Sequence, residues 1–207
     1  MRNWFGLDRL LRWLRHAARY EGILNDAQIA ELVQRYGMIE PFVPRKIKAP
    51  EAYYSYGLEP FGYTFRLHER VHISGMHDLP GAESHLRAEP RFTECVIGDF
   101  ILLPPHSIAL CRSVEYFRLP DFVTGFLVGK SSYTRQGVVY MMSVVDAGYE
   151  GTISFAVANL SPMNVELRAR EGIGQIIFVA GRRANNPYIG YYSGSVDVVS
   201  PALNPRK

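Results

Sequence analysis

The chain has little cysteine, little net charge and no long hydrophobic run, and each shortage removes a class of protein. Its two cysteines, Cys95 and Cys111, are too few for a disulfide framework, so a reduced, cytoplasmic setting is the expectation. No apolar stretch is long enough to cross a bilayer as a helix. A formal net charge of +3 over 207 residues is too small to imply nucleic acid as a partner by itself. Internal repeats and low-complexity segments are also missing. What remains is 47% hydrophobic, enough to bury a core in one domain with an appendage.

Metal and nucleophile chemistry find no support in the spacing. His68, His72 and His77 lie close together, but no acid or cysteine completes a ligand set. Cys95 and Cys111 have no neighbouring base, so they read as small hydrophobes in strands.

The appendage is the N-terminus. Trp4, Leu7, Leu11, Leu14 and Ala18 fall on one helical stripe, flanked by Arg2, Arg9, Arg12, Arg15 and Arg19. Residues 1–21 are therefore expected to form a basic amphipathic helix. Such a helix can lie on a membrane surface, but packing on the protein body or a partner subunit is the preferred reading. It lacks the uninterrupted apolar core of a secretory signal.

Residues 22–207 read as the main domain. Asn25 and Gln28 have capping-box spacing, Ile29, Leu32 and Val33 make an apolar stripe, and Gly37 sits where a C-terminal cap belongs, predicting one helix. "VPRKIKAP" follows as an extended basic loop. From about Tyr53 the chain reads as β: "FILL", "IALCRSVEYF", "TGFLVG", "VVYMMSVV", "TISFAVAN" and "GQIIFV" are punctuated by Gly, Pro and Asp. That spacing predicts a mainly β barrel or jelly roll. "MHDLPGAESHLRAEPRF" is too polar for a strand and reads as a surface loop.

The densest polar stretch is "GKSSYTRQG", Gly129 to Gly137. Glycines let a backbone approach an anion, and cations and hydroxyls supply phosphate-binding donors.

Taken with "MIEPF", "YSYGLEPFGYTFRL", "ILLPPHSIALCRSVEYFRLP" and "EGIGQIIF", this stretch makes the chain resemble the dCTP deaminase branch of the dUTPase superfamily. Five collinear matches run from about Gly22 to Pro201. The resemblance implies a dUTPase-like distorted β-barrel (a β-clip) with N-terminal helices, built as a homotrimer with its sites between subunits. It implies phosphate binding by Lys130, Ser131 and Ser132, and it places Ser131 and Arg135 at the reacting centre or the phosphates. It further implies that Gln175 contacts the nucleotide and that Tyr149 packs on deoxyribose.

One stretch within the resemblance departs from the deaminases. In "DAGYEGTISFAVAN", Asp146 to Asn159, the deaminases carry a glutamate that shuttles protons. By register that position is Ala156, which cannot transfer a proton. Asp146 matches the aspartate with which dUTPases orient water for attack on a phosphate. The reading is a hydrolase that releases pyrophosphate from dUTP or a related deoxypyrimidine triphosphate, with Mg²⁺ carried on the phosphates. Two alternatives stand beside it. One is a dCTP deaminase in which Ala156 replaced the glutamate naturally or by engineering; the other is a non-catalytic nucleotide-binding or regulatory protein. Further departures are Thr64, where the family has Asp, the apolar Met141, Met142 and Val144, and a C-terminus without either branch's characteristic arm.

Overall fold

The computed structural model describes residues 20–75, 92–141 and 143–197. The predicted N-terminal helix falls almost wholly on residues 1–19, and His77, Met142 and most of the polar loop fall on 76–91 and 142. All of these lie outside the described residues.

In chain order the elements are β1 (Gly22–Ile23), α1 (Asp26–Tyr36), β2 (Ile39–Glu40), β3 (Gly57–Glu59), β4 (Gly62–Arg66), β5 (Arg70–Gly75) and β6 (Thr93–Val96). There follow β7 (Phe100–Leu103), β8 (Ser107–Arg118), β9 (Val123–Gly129), α2 (Ser131–Thr134) and β10 (Val138–Met141). The last are β11 (Val144–Val145), β12 (Glu150–Asn159), β13 (Val165–Arg168) and β14 (Gly172–Ala180).

The helix α1 forms as its caps dictate. Asn25 Oδ1 accepts from the Gln28 backbone N–H at 3.0 Å, and Gln28 Oε1 accepts from the Asn25 N–H at 3.0 Å. Gly37 ends it in the left-handed region at φ 61°, where a Cβ would be penalised. Ile29 and Leu32 are fully buried on its inner face.

The strands make two six-stranded antiparallel sheets. One runs β11-β9-β14-β4-β3 with β1 on β14; the other runs β10-β12-β8-β5-β6 with β2 on β8. A separate pair joins β13 to β7. The mainly β expectation holds, but among the described residues the ladders are two open sheets rather than a closed barrel. Alternation explains how they share one core. In β8, Ala109, Cys111 and Phe117 point inward, as do Phe65 in β4 and Ile176 and Phe178 in β14. Glu115, at 0% exposure, ties the sheets together: it accepts from Arg66 N at 2.9 Å, Arg66 Nε at 2.7 Å and the Tyr63 hydroxyl at 3.3 Å.

Candidate functional site

Strand β12 has two faces. Ile153, Phe155 and Val157 point into the core, whereas Ser154 and Ala156 alternate with them; Ser154 and Ala156 line a cavity of about 620 Å³, to which Ile153 and Phe155 also contribute. Ala156 is 8% exposed. Its cross-strand neighbours are Met141 on β10 and Leu110 on β8, so an apolar row crosses three strands at that level. Ser154 pairs in register with Arg112, and its hydroxyl is buried without a hydrogen-bond partner.

The turn before β12 brings Asp146 and Tyr149 to the same cavity. The Tyr149 N–H donates to the Asp146 carbonyl at 3.0 Å. Gly148 closes that turn at φ 86°, and a Cβ there would meet Pro187 at 2.7 Å, so only glycine fits beside the returning chain. Asp146 is exposed and, among the described residues, is the only carboxylate lining the cavity. The Tyr149 hydroxyl donates to the Thr152 carbonyl at 2.6 Å, which fixes the ring. Burial, and then the neighbouring Tyr188, push this phenol up to about 12.

A later segment of the chain packs back beside this turn. Tyr188 N–H donates to the Ala147 carbonyl at 2.8 Å, Gly194 N–H to Glu150 at 2.7 Å, and Thr152 N–H to Ser195 at 2.8 Å. Tyr188, Tyr192 and Ser195 thereby join the lining, and the Tyr149 and Tyr188 rings sit 5.7 Å apart.

The phosphate-motif residues lie elsewhere. Lys130 and Ser131, at the β9–α2 junction, line a second cavity of about 300 Å³ with Gln175. The two cavities share no lining residue. Gln175 is the register partner of Thr64, and its amide donates to the Phe61 carbonyl at 3.3 Å. Lys130 Nζ donates to Ser55 Oγ at 2.9 Å. Its ammonium is held below the usual lysine range by burial and by Lys46. Two groups here were not among the expected site residues. Lys46, from the basic loop, lies 2.8 Å from Glu59 Oε1 and 2.9 Å from Oε2. Glu59 in turn accepts from Thr64 Oγ1 at 3.1 Å. An acid is thus present beside Thr64, but it comes from β3. "VPRKIKAP" showed the charge of Lys46; only the tertiary fold shows where it goes.

Ser132 and Arg135 line neither cavity. The Ser132 hydroxyl is buried without a partner, and Arg135 is exposed at the end of α2. Among the described residues no cluster of three or more His, Cys, Asp or Glu could hold a metal ion. Cys111 is buried on β8, and burial drives its thiol far above the usual range, which leaves it inert.

Comparison with known proteins agrees with this architecture. A dCTP deaminase-like family model matches residues 23–181. The dCTP deaminase of Chloroflexus aurantiacus is 32% identical over 189 residues, spanning 88% of this chain and 99% of that one. The dCTP deaminase of Chlamydia muridarum is 33% identical over 171 residues, spanning 79% and 87%. Among solved structures, the 2'-deoxycytidine 5'-triphosphate deaminase from Agrobacterium tumefaciens shares the fold at TM-score 0.58 and 17% identity, over 77% of this chain and 48% of that one.

Proposed function

The chain belongs to the dCTP deaminase-like family, and on that premise we propose that it hydrolyses a deoxypyrimidine triphosphate, dUTP or a close relative, to monophosphate and pyrophosphate. The observation that carries this reading is the pairing in one cavity of Asp146 with Ala156. An alanine between Met141 and Leu110 can neither accept nor deliver a proton, so deamination lacks its acid–base group. Asp146 remains as an acceptor for water.

The reaction then follows from the groups present. Water hydrogen-bonded to the Asp146 carboxylate attacks the α-phosphorus, and its proton passes toward that carboxylate. The bond from phosphorus to the bridging oxygen breaks, and pyrophosphate leaves. Tyr149 packs against the deoxyribose. Lys130, Ser131 and Gln175, which share the second cavity, bind the nucleotide and its phosphates, with Lys46 as an additional cation. A Mg²⁺ ion carried on the triphosphate would offset its charge.

Asp146 and Lys130 sit in different cavities of one chain. In this reading the complete site forms between copies of a homotrimer, with Asp146 from one copy facing Lys130 from the next. A second reading, dCTP deamination, is favoured by the relatives' names; Ala156 stands against it. Chromatography of products from dUTP and dCTP decides between them. The hydrolase yields dUMP and pyrophosphate from dUTP and no uracil nucleotide from dCTP. Brisk formation of dUTP from dCTP would reverse the order, and inertness toward both would leave a binding protein.

A further inference from the structure

The first cavity has a wall that chemistry at the phosphates does not use. Met141, Ala156 and Leu110 form one apolar row across β10, β12 and β8. We propose that this wall selects a pyrimidine with an apolar substituent at C5, so that 5-alkyl deoxyuridine triphosphates are better substrates than dUTP. The inference rests on reading this cavity as the base pocket of a triphosphate hydrolase.

The argument is one of edges. A pyrimidine joined to its sugar through N1 has a polar edge, formed by O2, N3 and the group at C4. Its only apolar edge is C5–C6. Setting the polar edge against Met141 and Leu110 would bury donors and acceptors without partners. The C5–C6 edge therefore faces the row. Ala156 is its smallest member and stands between two longer side chains, which leaves a notch at the level where a C5 substituent would project. The same cavity also holds polar partners: Ser143 lines it, and Ser154 offers a buried hydroxyl that no protein group satisfies. A buried hydroxyl of this kind is costly unless something bonds to it. Met141, 51% exposed, is also a side chain that a ligand would cover.

The test uses the full chain and three substrates, dUTP, its 5-methyl homologue thymidine triphosphate, and 5-ethyl-dUTP, with kcat/KM for pyrophosphate release as the readout. One added carbon group in an apolar pocket is worth roughly 10–200-fold. The 5-methyl substrate is expected to exceed dUTP by at least about tenfold, with the 5-ethyl substrate also above dUTP. Ala156→Val, which fills the notch, is expected to remove that advantage. Turnover of dUTP as fast as its 5-methyl homologue overturns the inference and leaves the hydrolase reading standing. Failure to turn over any of the three overturns both. The wild-type comparison needs no variant, so poor folding of Ala156→Val cannot rescue or sink it.

Discussion

At the scale of single residues, the account depends on which atoms can exchange a proton and which cannot. In the proposed reading Ala156 leaves the cavity without one acid–base group, and Asp146 supplies another in the same cavity. Lys130 adds a pH dependence. Burial and Lys46 hold its ammonium below the usual lysine range in the free chain, whereas a bound triphosphate would draw it back up. The protonated form is the one that binds, so affinity is full below the depressed value and falls as pH rises through it. Titration of the non-hydrolysable α,β-imido analogue of dUTP across the alkaline range should show weakening before an ordinary lysine would titrate. Lys130→Arg, whose guanidinium stays charged, should flatten that decline. A wild-type affinity that is flat to beyond the normal lysine range would mean that Lys130 does not touch the phosphates.

At the scale of elements, what was legible in the sequence was what is encoded locally. The caps of α1 needed only Asn25, Gln28 and Gly37, all within thirteen positions, and each forms as expected. The strand runs at β7, β8, β9, β12 and β14 were visible because alternation and punctuation are also local. "VVYMMSVV" instead divides into β10 and β11. The separation of Asp146 from Lys130, the arrival of Lys46 and Glu59 beside Gln175, and the return of Tyr188 to the first cavity are all non-local. Nothing in the spacing of those residues announces them. Nor did spacing reveal that Arg135 would lie outside both cavities, since motif proximity says nothing about which way a helix end faces. The junction of the two sheets is equally non-local: Glu115 in β8 is fully buried against Arg66 of β4. Removing one partner of such a pair strands the other charge. Glu115→Ala should cost about 3–5 kcal/mol, read as a lower urea midpoint; a loss below about 1 kcal/mol would mean that the pair contributes little to joining the sheets.

At the scale of the whole molecule, the proposal requires one copy to complete another. Asp146→Asn and Lys130→Ala each leave every site damaged when made alone. Mixed and reassembled in equal amounts, they should recover about a quarter of the wild-type sites, because random closed rings unite an intact Asp146 with a neighbour's intact Lys130 that often. No recovery, despite mixed oligomers in mass spectrometry, would place both residues in the same chain's site. Upstream of that architecture stands the claim that this member of the family cleaves a phosphoanhydride through Asp146. The most direct measurement is steady-state pyrophosphate release from dUTP by the wild type and by Asp146→Asn. The account predicts a fall of about 100- to 10,000-fold in the variant, with the imido analogue still bound. Hydrolysis by Asp146→Asn at the wild-type rate would contradict it.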